Sequence, residues 1–315
     1  MPLNNQTGKT NFDELLKFRK YTFRSHCRII LSGILEKWSK NILAKKIPPK
    51  SNKKEEIPII IYIEDRIDTN NLMLLRFSIL NTLIMCRLKL SVIIYTTKSK
   101  LSALEKKFEN LKAWVKFLPI ENELIENINM LNFNNLLKNS SFWNQIPSKS
   151  ILMMQTDAIL IEPLDFSLFK YDYIGAPWSS GKYISSMFHT YSEDLSYELH
   201  SFWESRPFSK KPTNLTFGNG GLSIRNTEKM AFICDLETSY EGEPEDVYFS
   251  RSLRKYGSNL PTINEARRFS CETDYFESIG SHASYLYLKA EEQAKIYERH
   301  FIQLIALIEA SSKNN

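Results

Sequence analysis

The sequence predicts an α/β fold with a mixed, mostly parallel sheet flanked by helices and preceded by an N-terminal helical extension. Short apolar runs alternate with helical patterns between residues 58 and 160, an order typical of parallel strands covered by helices on both faces. The 315 residues suffice for one large α/β domain. The first 54 residues hold 13 Lys or Arg and 3 Asp or Glu, which separates a basic extension from a mildly acidic body.

The N-terminal extension, residues 1–55, is predicted to form one or two helices and a linker. Between residues 12 and 46, apolar residues recur at spacings of three and four, and Lys or Arg occupy the other side. A basic amphipathic helix either packs its apolar stripe on the protein body or lies on an anionic membrane surface. We expect packing, with peripheral membrane contact through residues 12–46 as the alternative.

The main domain is predicted to span residues 56–290, and a final helix lies within residues 291–315. The predicted strands are 58–64, 90–96, 115–120, 149–162, 222–225 and 267–272. The predicted helices are 70–87, 102–112, 133–143, 228–236, one that begins near residue 244, and 290–310. Residues 179–216 interrupt the alternation, and an irregular segment of this length is typical of a binding loop or lid.

One polar triplet interrupts the most apolar strand. Gln155, Thr156 and Asp157 are flanked on both sides by apolar residues. Burying a carboxylate inside an apolar strand costs free energy. Asp157 is therefore expected at an opening of the sheet, beside a cation. A divalent cation next to nucleotide phosphates needs only one or two carboxylates from the protein. The alternative is that Asp157 caps a turn.

Two later stretches also suggest a ligand site. Residues 218–221 contain three glycines, which allow close approach of a ligand to the backbone. Glu245 and Asp246 follow a proline at a predicted helix start. A carboxylate there either serves the helix N-terminus or acts as a general base.

Other classes of protein are disfavoured. Neither a dinucleotide fingerprint nor a P-loop occurs, and the basic residues that nucleic-acid binding would need are confined to the extension. No run reaches the 18 apolar residues of a membrane span, and residues 1–10 lack a signal-peptide core. The four cysteines form no C-x-x-C pair, which favours reduced thiols and a cytoplasmic location, membrane-peripheral if the extension binds lipid.

With these stretches identified, the chain resembles nucleotide-sugar glycosyltransferases of the GT-A (Rossmann-like) fold. The resemblance covers about residues 58–288 and is carried by residues 155–157, 171–178, 218–221 and 244–250. It is greatest to a glycosyltransferase-like family of unknown function found in bacteria and viruses. The block 245–247 also resembles the inverting β-1,3-glycosyltransferases related to fringe.

The resemblance implies a role for each matching residue. Asp246 would be the catalytic base, and Asp157 and His282 would hold a divalent metal, Mn²⁺ first and Mg²⁺ as the alternative. Gln155 stands where the first Asp of the family's D-x-D motif is often found, which weakens metal binding or removes the need for it. The remaining roles are nucleotide binding by Glu64, Asp65, Gln155 and Thr156, and contact with the donor or acceptor sugar by Trp178, Gly220, Gly221 and Glu245.

The expected function is transfer of a sugar, with inversion, from a nucleotide diphosphate donor to a glycan or another hydroxyl acceptor. Two alternatives remain open. One is a non-catalytic nucleotide-sugar-binding domain, to which Gln155 points. The other is a peripheral membrane scaffold protein in which residues 12–46 carry the function.

Overall fold

The computed structural model of the chain describes residues 5–49, 57–121, 127–177, 218–240 and 243–313. The predicted insertion at residues 179–216 lies outside these ranges, and so does most of the predicted linker. The strands are β1 Ile59–Ile63, β2 Val92–Thr96, β3 Val115–Pro119, β4 Ser150–Met154, β5 Ala158–Leu160, β6 Tyr173–Gly175, β7 Leu222–Asn226, β8 Ser270–Cys271 and β9 Gly280–His282.

A six-stranded sheet with the order β3-β2-β1-β4-β7-β6 forms the centre of the domain. The four strands from β3 to β4 are parallel, and β7 runs antiparallel to both of its neighbours. The prediction of a mixed, mostly parallel sheet is therefore confirmed. Parallel order places the carboxyl ends of β1, β2 and β4 at one edge, where ligand crevices form in open α/β sheets.

Helices cover both faces of this sheet. They are α1 Asn5–Ile30, α2 Glu36–Asn41, α3 Thr69–Met85, α4 Lys98–Lys107, α5 Met130–Leu137, α6 Ser140–Asn144, α7 Thr227–Leu236, α8 Glu245–Ser252, α9 Ile263–Phe269 and α10 Ala290–Lys313. In β1, Ile60 and Tyr62 enter the core shared with α1 and α3, whereas Ile59 and Ile61 enter the core shared with α6 and α7. The strand is thus buried on both faces, as its composition predicts.

The predicted strand at residues 149–162 is two strands in different sheets. The chain leaves the main sheet after β4, turns at residues 155–157, and continues as β5, which pairs with β9 in a three-stranded sheet. The turn is closed by a hydrogen bond of 3.1 Å from the Ala158 amide to the Gln155 carbonyl. The polar triplet forms a turn because an apolar sheet cannot accommodate it, and Asp157 therefore lies between the two sheets.

The structure differs from the prediction in three other places. The first half of the strand predicted at 267–272 is the end of α9, which begins with a capping box between Thr262 and Glu265, and only the short β8 follows it. Residues 280–282, for which neither a strand nor a helix is predicted, form β9. The helix predicted at 133–143 is interrupted at Asn139, whose side-chain oxygen accepts from the Ser141 amide at 3.0 Å and so starts α6.

The N-terminal helices pack against the body. After α1 the chain forms one π-helical segment, Leu31–Leu35, and then α2. Phe23, Cys27, Leu35 and Trp38 are buried in the same core as α3. The packing of these residues on the body accounts for the apolar stripe of the extension without contact with a membrane. None of the described helices has both the length and the hydropathy needed to cross a bilayer.

A buried polar chain joins α1, α10 and α3. The nitrogens His26 Nε2 and His300 Nδ1 lie 3.0 Å apart, and His300 Nε2 donates to Asn81 Oδ1 at 2.7 Å. Burial lowers the pKa of His26 to about 4 and the pKa of His300 well below its ordinary value. Both rings are therefore neutral near pH 7, which allows this contact to form without burying a charge.

The four cysteines are unpaired thiols. Cys27, Cys86 and Cys271 are buried, and burial raises the pKa of each thiol. These side chains therefore remain protonated and pack as small apolar groups.

Candidate active site

The candidate site lies at the carboxyl edge of the main sheet. The turn at residues 155–157 follows β4, and the glycine-rich segment at 218–221 precedes β7. The Gln155 amide donates to the Gly221 carbonyl at 2.8 Å, which holds these two segments together. His282 reaches the same place from the end of β9. The fold thus brings together residues from distant parts of the chain that the sequence predicts to bind a ligand.

A small cluster forms around His282. Its Nε2 lies 3.3 Å from Asp157 Oδ1 and 3.0 Å from Gln155 Oε1. Burial lowers the pKa of His282, but the charges of Asp157 and Glu272 outweigh burial and raise the pKa to about 10. Burial raises the pKa of Asp157, but His282 and Arg66 outweigh it, so that pKa falls below its ordinary value. Asp157 therefore stays ionised.

Glu272 orients the cluster from behind. Its Oε1 lies 3.3 Å from His282 Nδ1 and accepts from Asn219 Nδ2 at 2.7 Å. Asn219 Oδ1 in turn accepts from the Gly221 amide at 2.8 Å. Because the pKa of His282 is about 10, both ring nitrogens carry a proton near pH 7, with Nδ1 toward Glu272 and Nε2 toward Asp157 and Gln155. A metal bound here would have to displace the Nε2 proton. No pattern in the sequence marks Glu272 as a site residue, because the strand that precedes it, β8, is only two residues long.

The arrangement of Asp157, His282 and Gln155 fits a divalent cation. Two ligands at right angles, each bonded to the metal at about 2.1 Å, lie about 3 Å apart, which is the separation from Nε2 to each oxygen here. A carboxylate behind the ligating histidine, as Glu272 lies, is a common second partner in metal sites. Among the described residues, no group of three or more His, Cys, Asp or Glu side chains is arranged so that it could by itself hold a metal ion. Further ligands would therefore have to come from a bound phosphate or from water.

The end of β1 contributes charges on the other side of the turn. The buried carboxylate of Glu64 accepts from Arg66 Nε at 2.7 Å and Nη2 at 2.5 Å. Arg66 Nη2 also donates to Thr156 Oγ1 at 3.2 Å. Asp65 Oδ2 accepts from the Ile128 amide at 2.7 Å. Both carboxylates thus have protein partners, and Arg66, whose side chain is 52% exposed, adds a cation to the crevice.

Asp246 lies in the first turn of α8. Its Oδ1 accepts from the Val247 amide at 2.8 Å. Burial, together with the negative charges of Glu245 and Glu272, raises the pKa of Asp246 to about 7. A Cβ at Gly220 would meet Glu245 and a Cβ at Gly221 would meet His282, so the start of α8, which carries Asp246, lies beside the histidine cluster.

Glu245 is engaged by a buried arginine. Arg225 Nη1 and Nη2 donate to the Glu245 carboxylate at 2.6 and 2.9 Å, and both side chains are almost fully buried. Gly220 lies against this pair, since a Cβ built there would stand 2.1 Å from Glu245 Oε1. A role of Glu245 in sugar binding stays a prediction, as do the roles of Gly220 and Gly221. Trp178 lies outside the described residues.

Gly221 is where a side chain would disturb the cluster most directly. A Cβ there would stand 2.1 Å from His282 Nε2. We expect Gly221→Ala to displace the imidazole from Asp157 and to lower the free energy of unfolding by about 1–3 kcal/mol, as overpacking does. Urea unfolding and the NMR titration of His282 would measure both effects.

The matched control is Gly33→Ala, because no atom lies within 4 Å of a Cβ at that position. It should leave the His282 titration unchanged. An unaltered His282 titration in Gly221→Ala would contradict the geometry described for the cluster.

The chain is similar to a protein of known structure and to a protein family. A solved structure that matches is core-mannan synthase A from Aspergillus fumigatus, in its Mn/GDP form, with 12% identity and a TM-score of 0.34 over 71% of this chain and 73% of that chain. Similarity at this level carries no argument about this site. No curated protein matches the chain.

A family model does match the chain. It is described as "Protein of unknown function (DUF5672)" and matches residues 115–284, which is more than half of the chain. That span includes Asp157, Asp246 and His282, whereas Glu64 and Asp65 precede it. The chain therefore belongs to the family of proteins of unknown function named DUF5672.

Proposed function

We propose that the protein is a glycosyltransferase that moves a sugar from a nucleotide diphosphate donor to an acceptor hydroxyl, with inversion. The observation that carries the proposal is a pair of carboxylates in one crevice whose pKa values move in opposite directions. The pKa of Asp157 is lowered, and the pKa of Asp246 is raised to about 7. Such divergence is typical of a site in which one carboxylate stays charged and another exchanges a proton near neutral pH.

In the proposed reaction Asp246 takes the proton of the acceptor hydroxyl. The hydroxyl oxygen forms a bond to the anomeric carbon on the face opposite the leaving group, while the bond from that carbon to the diphosphate oxygen breaks. The nucleoside diphosphate leaves with the electron pair of that bond. General base catalysis of this kind contributes about 10²–10⁴ in rate.

We propose that Asp157 and His282, with Gln155 beside them, hold Mn²⁺ or, as the alternative, Mg²⁺. When bound, the cation would neutralise charge on the diphosphate. Arg66 supplies a fixed positive charge near Asp157 whether or not a metal is present. Glu64, Asp65 and the turn at residues 155–157 are proposed to contact the nucleotide. Gly220, Gly221, Glu245 and Trp178 are proposed to line the sugar subsites.

The first test is donor hydrolysis and transfer by the full-length protein. UDP-, GDP- and CMP-sugars would be incubated with Mn²⁺ or EDTA, and released nucleotide measured. We expect one donor class to react, Asp246→Asn to lose about 10²–10⁴ of the rate while still binding donor, and Asp157→Ala to lose metal-dependent release. Asp235→Asn, an exposed carboxylate on α7, is the control that should react like wild type.

Each outcome discriminates between hypotheses. Donor binding without turnover would favour the non-catalytic binding domain. Nucleotide release that is unchanged by EDTA would support a transferase that needs no divalent metal. Neither binding nor release with any donor would contradict the enzyme proposal.

A second prediction concerns pH. Asp246 must be ionised to accept a proton, and its pKa is about 7, so activity should be lost as the pH falls below that value. We expect kcat/KM to fall about tenfold per pH unit between pH 6.5 and 5. The residual activity of Asp246→Asn should not show this fall of kcat/KM at low pH. Donor binding measured over the same pH range is the control. A flat wild-type profile would remove Asp246 as the base.

We also propose that the outer side of α1 contacts an anionic membrane surface. Phe18, Tyr21 and Ile29 are 66%, 66% and 67% exposed there, and Lys17 and Arg28 are exposed with them. This surface is distinct from the stripe that packs on the body. Exposed aromatic and aliphatic groups among cations are typical of helices that lie in a membrane interface.

Vesicle flotation would test this contact. We expect binding to vesicles with anionic lipid, reduced by salt, and little binding to neutral vesicles. Phe18→Ser with Ile29→Ser should abolish it, whereas Phe232→Ser, at an exposed phenylalanine on α7, should not. Point variants are preferable to deletion of residues 1–54, which would also remove buried residues such as Phe23 and Trp38. Equal binding by all variants would contradict the proposal.

A further inference from the structure

The helix α1 lies against the segment that carries His282. The Phe23 ring stacks on the Tyr285 ring, with centroids 5.0 Å apart. Arg19 Nη1 donates to the Leu286 carbonyl at 3.3 Å. The Ala283 amide donates to the Asp157 carbonyl at 3.1 Å, so this segment is joined directly to the turn at residues 155–157. Through these contacts the N-terminal extension forms part of the wall beside Asp157.

Arg24, the residue after Phe23, lacks a partner for one of its donors. Its Nε is buried and has no hydrogen-bond partner among the described residues. An arginine carries five N–H donors in a rigid fork, and a buried donor without a partner costs free energy. No ion pair within the described parts of the chain involves Arg24. The side chain thus has capacity for an anionic partner that the described chain does not supply.

The position of Arg24 relative to Asp157 indicates where such a partner would lie. Burial raises the pKa of Tyr285; Asp157 raises it further, and Arg24 lowers it. The charges of Asp157 and Arg24 therefore both lie near the Tyr285 hydroxyl. Cys27, one helical turn beyond Arg24, is also close enough for the charge of Asp157 to raise its pKa in addition to burial. Together with the stacking of Phe23 on Tyr285 and the hydrogen bond from the Ala283 amide to the Asp157 carbonyl, these effects place this part of α1 beside Asp157.

A multiply charged anion suits this place better than a neutral ligand. Asp157 directs its carboxylate to His282, at 3.3 Å, and not to Arg24. Arg66 is paired with Glu64, so Arg24 is the cation on this side of Asp157 for which the described residues show no ion pair. A diphosphate has the negative charge and the oxygen atoms needed to accept hydrogen bonds from a guanidinium. The guanidinium group favours bidentate contacts with phosphate.

We propose that Arg24 of the N-terminal helix binds the diphosphate of the donor, so that the basic extension completes the site. This inference rests on the proposed function, because it names a ligand contact of the same crevice. Arg24 lies before residue 115, where the family match begins, and so it is a feature of this chain outside that span.

The experiment is calorimetric titration of the full-length protein with inorganic pyrophosphate, with UDP and GDP, and with the free nucleosides. We expect Arg24→Gln to weaken binding of the diphosphates at least tenfold and to leave nucleoside binding and the urea unfolding midpoint unchanged. Arg24→Lys should recover part of the affinity. The matched control is Arg28→Gln, one turn along the helix, where an exposed guanidinium donates to Asn70 Oδ1 at 3.4 Å.

Three outcomes would overturn the inference. If Arg24→Gln binds diphosphates like wild type, the proposed transferase stands and Arg24 has no part in it. If Arg24→Gln loses nucleoside binding and lowers the unfolding midpoint as well, Arg24 serves the docking of α1. If the wild-type protein binds none of the diphosphates, both this inference and the proposed function fail.

Discussion

The organisation of the crevice depends on a buried ion pair between Arg225 and Glu245. Both charges are removed from water, and such a pair is tolerated only when its geometry is good and its remaining donors are satisfied. Here the carboxylate accepts two hydrogen bonds, the Gly220 carbonyl accepts a third, and the rings of Trp143, Tyr173 and Phe249 surround the guanidinium. The pair joins β7 to the first turn of α8. It thereby holds both the glycine-rich segment and the neighbouring Asp246 in place.

Neighbouring charges then give two carboxylates of the crevice different properties. Burial raises the pKa of both Asp157 and Asp246. Asp157 lies beside His282 and Arg66, and these positive charges outweigh burial. Asp246 lies near Glu245 and Glu272, so the surrounding charge adds to burial. One buried edge of the sheet thus contains a permanently charged group and a group that titrates near neutral pH, which is the combination that a transfer reaction with a charged leaving group requires.

Much of the fold and part of the site follow from local patterns. Short apolar runs predict five of the six strands of the main sheet, all but β6, and the polar triplet at residues 155–157 marks where one of them ends. The triplet is a turn into a second sheet because its side chains cannot be buried. Glu272 and Arg225 carry no such signal. Their importance comes from contacts with His282 and Glu245, which lie 10 and 20 residues away in the chain and on different elements.

The sequence by itself determined where most strands of the main sheet and most helices form, because the period of the apolar residues decides which backbone conformation can bury them. It also determined that charged residues occur at strand ends and helix starts, since a sheet interior excludes them. The tertiary structure alone decided which charges meet, and therefore which carboxylate is held ionised and which is not. It also decided that the basic extension lies beside Asp157, because helix packing depends on the shape of the assembled core, and this shape is not encoded in any single stretch of the chain.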